Sequence, residues 1–142
     1  MISEVRPATL HMVWPQIEPM IVRALRHGQG DGSTPEYVYK ALLEDETVLW
    51  VIHDDEDIRA MAVLSITLHP QGKKLNVELL AGEGIDDWGD ELETLLMDFR
   101  DLLGAYCIEA SCRRGLAKYL LRRPLWRQKA VIMEIPSNHE VH

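Results

Sequence analysis

The sequence predicts a mixed α/β domain: an antiparallel meander joined to one βαβ crossover. Three observations carry this. Residues 47–53, 58–69 and 75–80 are apolar, β-branched runs separated by the turns Asp54-Asp55-Glu56-Asp57 and Pro70-Gln71-Gly72-Lys73, which is the pattern of a meander. Trp88, Leu92, Leu95, Leu96, Phe99, Leu102 and Leu103 then recur at helical spacing, with Asp87, Asp90, Glu91, Thr94, Asp98 and Asp101 on the opposite face. A further β-rich run at 106–111 follows that helix, so strand, helix and strand form a right-handed crossover with parallel neighbours.

The other elements follow from local chemistry. Residues 5–8 suit a short edge strand. Pro15 suits the first turn of a helix whose apolar positions are Ile17, Met20, Ile21, Ala24 and Leu25, and Pro19 either falls in that turn or marks the true start. Gly28-Gln29-Gly30-Asp31-Gly32 reads as the stop of that helix and a flexible, polar connector. Ser33-Thr34-Pro35-Glu36 carries hydroxyl caps, Pro at the first position and a Glu three after Ser33, a strong helix start. Gly104 stops the long helix. Residues 115–122 form a short helix ended by Pro124, and 130–135 a last strand. The expected order is β-α-α-β-β-β-α-β-α-β, one domain over 1–136 with a short polar tail at 137–142.

Composition narrows the class. The chain has 142 residues, 46% hydrophobic and 27% charged, ordinary for a globular protein with a buried core. No apolar run approaches the ~20 residues of a membrane span, and no secretory signal opens the sequence. Two cysteines, Cys107 and Cys112, make no disulfide framework. The histidines His11, His27, His53, His69, His139 and His142 show no i, i+4 pair, so no metal site is expected.

Charge is distributed unevenly within a net −8. Seven acids and no Lys or Arg occupy 44–57, and eight acids face one arginine across 83–101. Seven cations without an acid follow: Arg113, Arg114, Lys118, Arg122, Arg123, Arg127 and Lys129. A chain this acidic is a poor general nucleic-acid binder. The basic segment suits a phosphate, an acidic partner or the acidic helix of its own domain. Gly82-Glu83-Gly84 is either a phosphate cradle or a strand-to-helix turn needing positive φ, and its acids favour the turn. Glu78 and Glu109 are candidate general bases for deprotonating an amine. Strand alternation places both opposite their apolar neighbours.

The element order resembles the GNAT N-acetyltransferase superfamily over nearly the whole chain. That resemblance implies acyl-CoA pyrophosphate binding at the loop after the fourth strand. Gly82 and Gly84 fit its two glycines, while Leu79 stands where an Arg or Gln is expected. It also implies a tyrosine general acid in the late helix, a position matched by Tyr119. A narrower resemblance is to small GNAT-like proteins encoded among tailed-phage and prophage structural genes. It rests on Gly82-Glu83-Gly84, Trp88, Glu109, Arg113 with Gly115, and Leu125-Trp126. Leu116 and Leu125 replace a late Trp and Gly of that pattern.

Two functions are therefore expected. The first is a non-catalytic protein of phage virion structure or assembly, without cofactor. It would act through Arg113, Arg114, Lys118, Arg122, Arg123 and Arg127 on other structural proteins or on itself, in the host cytoplasm and the virion. The alternative is an N-acetyltransferase using acetyl-CoA on an amine, with Glu78, Glu109 and Tyr119 as catalytic residues.

Overall fold

The computed structural model describes residues 1–29, 32–55 and 57–137. Five strands, β1 (Ile2–Val5), β2 (Val48–His53), β3 (Ile58–His69), β4 (Gly72–Gly82) and β5 (Cys107–Ala110), lie in that order in one sheet. The first three pairings are antiparallel, and β5 joins β4 in parallel. Helices α1 (Leu10–Arg26) and α2 (Pro35–Leu43) cover one face, and α3 (Ile85–Leu103) and α4 (Arg114–Leu121) the other.

Two covered faces explain the nearly continuous apolar runs of β2 and β3. Leu49, Val51, Met61 and Val63 pack towards Ile17 and Ile21 of α1. Trp50, Ile52, Ala60, Ala62 and Leu64 pack towards Leu92 and Leu96 of α3. The alternation breaks twice, at Arg59 of β3, where the pairing with β2 shifts, and in β4. Leu64 pairs with Val77 but Val63 pairs with Leu79, so Glu78 is an extra residue in a β-bulge. Leu79 is thereby turned to the α1 side, and Leu80 joins Leu75 and Val77 on the α3 side. Pairing to β5 runs from Lys74↔Cys107 to Val77↔Ala110 and stops where the bulge begins.

Several expectations are corrected. α1 begins at Leu10, so Pro15 and Pro19 lie inside the helix rather than in its first turn. Both are exposed and four residues apart, so the interrupted hydrogen bonds fall on one water-facing side, where solvent can meet the carbonyls. β1 occupies Ile2–Val5 rather than 5–8. Residues 130–135 form no strand, and Ile132, Met133 and Ile135 stand exposed, the last at 97%. β-propensity without a paired edge does not make a strand. Of the expected tail, 138–142 lie outside the described residues, as do Gly30, Asp31 and Glu56.

The facing of α3 is testable at three positions. Leu96 is 3% exposed, and Leu96→Ala should cost about 2–5 kcal/mol, read as a lower urea midpoint. Phe99, half-buried against Trp50 at 5.7 Å between ring centroids, should lose less than the ~3–5 kcal/mol of a fully buried ring. Leu102 is 83% exposed, and its truncation should stay within about 0.5 kcal/mol. Equal losses at 96 and 102 would contradict this facing.

Candidate functional site

The site starts from the bulge. Beyond Val77 the β4 edge has no β5 residue opposite it, and the N–H and C=O of Leu80 face that gap. They are met by a side chain: the Gln29 carboxamide donates to the Leu80 carbonyl at 3.1 Å and accepts from the Leu80 N–H at 2.9 Å. Gln29 is 3% exposed, the one polar residue among the fully buried described residues. The expected polar connector is therefore wrong at this residue.

The end of α1 fixes Gln29 there. Gly28 takes a left-handed φ of +85°, its N–H bonding Leu25 O at 3.1 Å while the Gln29 N–H bonds Ala24 O at 3.2 Å. These two bonds define a Schellman motif, whose last residue turns back on its own helix. A hydrophobic side chain is usual at that position. Here it is a glutamine, because a strand peptide lies beneath. The glycine stop was legible in the sequence; the polar partner it serves was not.

Gln29 and Leu80 line a cavity of about 30 Å³, room for a water or so, with Leu92, Leu116, Tyr119 and Arg123 around it. Tyr119 reaches this wall because Gly89 of α3 has no side chain: a Cβ there would overlap the Tyr119 hydroxyl. Glycine inside a helix costs roughly 0.5–1 kcal/mol against alanine, so close packing of α3 and α4 decides the residue. Arg123 then locks the pair. It donates to Glu93 at 2.9 and 3.1 Å, to Asp90, and to the Tyr119 hydroxyl at 3.2 Å. Trp126 adds a bond to Glu93 at 2.8 Å. The Arg123 hydrogen bond, with Trp126 helping against burial, holds the Glu93 carboxyl below its ordinary range.

The predicted residues are distributed as follows. Gly82 has a φ of +136°, and a Cβ on it would overlap Ala60 of β3. Gly84, at φ +79°, is the N-cap of α3. Both glycines serve the strand-to-helix turn. The bulged Glu78 accepts from Ser65. Glu109 accepts from Lys129 at 2.7 Å and Lys74 at 3.2 Å, and the Lys129 bond leads in lowering its pKa. Tyr119 is the candidate that lines the cavity. Arg123 is engaged within the domain rather than offered to a partner. Arg113, Arg114, Lys118, Arg122 and Arg127 are exposed. Cys107 and Cys112 are free, and burial raises the Cys112 thiol. Among the described residues no cluster of His, Cys, Asp or Glu could hold a metal, and no helix is long and apolar enough to cross a membrane. His139 and His142 lie outside the described residues.

Two experiments probe the α3–α4 lock. Gly89→Ala should cost about 1–3 kcal/mol despite its better helix propensity, and combining it with Tyr119→Phe should recover part of the loss. Additive losses would place the hydroxyl elsewhere. Glu93 and Glu109 have depressed folded pKa values, so their stabilisation is full above the ordinary carboxylate value of 4.5. It is lost as pH falls below that value, through the folded pKa values. Arg123→Gln should therefore lower the urea midpoint at about pH 7 and flatten its fall on acidification. A parallel curve would show that Arg123 does not set Glu93.

No family model and no curated protein matches the sequence. Solved structures do. A GCN5-related N-acetyltransferase from Ralstonia eutropha superposes with a TM-score of 0.68 at 15% identity, over 97% of this chain and 99% of that one. A predicted acetyltransferase from Clostridium acetobutylicum, solved with acetyl-CoA, gives 0.67 at 11% identity over 96% and 95%. An aminoglycoside acetyltransferase from an uncultured soil metagenomic sample, in complex with sisomicin, gives 0.69 at 12% over 97% and 96%. Nothing in these likenesses connects the chain to phage structural proteins. At such identities they show the fold, and it is that of the GNAT N-acetyltransferases.

Proposed function

We propose that the chain is an acyl-CoA-dependent N-acyltransferase acting on an amine. The observation that supports this most is the Leu80 peptide, which faces a gap beside β4 and pairs there with an amide. The pantetheine arm of an acyl-CoA contains secondary amides, which offer the same donor and acceptor. Leu80 lies two residues before Gly82, where the chain turns towards the positive end of α3, a suitable place for a pyrophosphate. Arg59, whose guanidinium lies against Gly84, supports an anion at that turn, while Glu83, Asp86 and Asp87 oppose it. The exposed cations Arg113, Arg114, Lys118, Arg122 and Arg127 are available to a further phosphate.

When bound, acetyl-CoA supplies the activated acyl group and a thiolate leaving group. As the amine nitrogen bonds the acyl carbon and the C–S bond breaks, the chain would give a proton to the thiolate. The proton shed by the acylated nitrogen, passed through solvent, restores it. The Tyr119 hydroxyl accepts from Arg123 and keeps its own hydrogen to donate, as a general acid requires. Glu78 is bound to Ser65, and Glu93 and Glu109 are held ionised by their cations. Glu93 and Glu109, so held, are weak bases, and on this reading the amine enters already neutral. Thiol release from acetyl-CoA with a panel of amines should rise about tenfold per pH unit up to the amine pKa. Tyr119→Phe should lower turnover by roughly 10²–10⁴. Turnover unchanged in Tyr119→Phe removes the tyrosine from the mechanism.

A second reading, an interaction protein on the same scaffold, is favoured by those engaged carboxylates. It would use Arg113, Arg114, Lys118, Arg122 and Arg127 to dock an acidic partner, a phage assembly component or a second copy. The double variant Arg114→Glu with Arg122→Glu discriminates. Weaker acetyl-CoA binding supports the enzyme. Unchanged acetyl-CoA binding with salt-sensitive loss of self-association supports the interaction protein.

A further inference from the structure

We infer that Gln29 is an internal competitor of the acyl donor, its carboxamide holding the place on β4 that a donor amide takes. The inference rests on the acyl-CoA reading above, and deepens it by adding a residue that sets donor affinity. Three features of the geometry converge on it. The bulge at Glu78 and the end of β5 pairing at Val77 leave the Leu80 peptide, opposite Ala62 on its β3 side, without a strand partner on its β5 side. Gln29 supplies both missing bonds, to the donor and to the acceptor of one residue, as a neighbouring peptide would. Both polar groups of Leu80 are already engaged by the carboxamide, so a donor amide reaches them only by displacing it.

The backbone of Gln29 is anchored by the Schellman bonds to α1, but its side chain has three rotatable bonds of its own. Rotation about them clears the β4 edge without unwinding the helix. A bound amide then replaces the two Gln29 bonds one for one and gains nothing at this peptide over the free protein. The chain thus binds its donor more weakly than the same fold without a side-chain amide at this position. A structural filler of equal size that only plugs a hole would show no such exchange.

The test is calorimetric titration of the full chain with acetyl-CoA, comparing wild type with Gln29→Ala. Two hydrogen bonds of ordinary strength correspond to roughly 10- to 100-fold in affinity, so the variant should bind at least tenfold tighter. Equal or weaker binding by the variant overturns the inference and leaves the acyl-CoA reading standing. If neither protein binds at about 1 mM acetyl-CoA, the acyl-CoA reading falls, and this inference with it. Should Gln29→Ala not fold, the wild-type protein answers through the side-chain NH₂ resonances of Gln29. On saturation with acetyl-CoA they should move to solvent-exposed positions and lose protection from exchange. Resonances that stay put while the ligand binds overturn the inference equally.

Discussion

The constraint on which the site depends is a single strand peptide, that of Leu80, paired with β3 on one side but with no β5 residue on the other. A buried backbone N–H or C=O left unmade costs about 1–3 kcal/mol, more than most hydrogen bonds contribute when made. The extra residue at Glu78 turns Leu79 and Leu80 to opposite faces and coincides with the end of β5 pairing. The sheet therefore opens on the β5 side of β4, between two helix-covered faces. Something must meet Leu80, and in this chain the end of α1 does so. The left-handed Gly28, the Schellman bonds to Leu25 and Ala24 and the buried glutamine are one device serving that peptide.

The opposite wall of the gap obeys a different rule. α4 is only eight residues long and buries a single residue fully, Leu116. Apolar packing alone holds such a helix weakly. Arg123, just beyond its end, compensates by engaging Glu93, Asp90 and Tyr119 at once, with Trp126 on the same carboxylate. Glu93 is well shielded, so its pairing is worth more than that of a surface ion pair and leaves a larger penalty if one partner is removed. Gly89 sets how closely this cluster approaches. The position of Tyr119, the one candidate catalytic group on the cavity wall, is thus set by a glycine and an ion pair on neighbouring segments.

The sequence disclosed what depends on periodicity and failed where two distant backbones meet. The meander, the long α3 and the parallel return of β5 were legible because alternation and helical spacing repeat over many residues. The bulge was not, since Val77, Leu79 and Leu80 are all apolar and the pattern looks unbroken through it. Gln29 was hidden for a related reason. Its neighbours Gly28, Gly30 and Gly32 spell a solvated loop, and only the orphan peptide fifty-one residues away gives the side chain a buried role. The run at 130–135 failed in the other direction: its β-branched residues predicted a strand that has no partner to pair with.

Charge followed the same division between local and distant information. Counting along the chain exposed the acidic α3 and the basic stretch after β5, but counting cannot say which charges meet. Arg123 and Lys129 turn inward onto Glu93 and Glu109, while Arg113, Arg114, Lys118, Arg122 and Arg127 remain at the surface. That sorting bears on function from both sides. The inward pairs hold Glu93 and Glu109 as ionised acceptors and so withdraw them from base catalysis. The outward cations keep a field that an anionic donor or an acidic partner can use. On the acyltransferase reading proposed above, catalysis would rest on binding, orientation and the Tyr119 proton, because the inward pairs leave Glu93 and Glu109 engaged as acceptors.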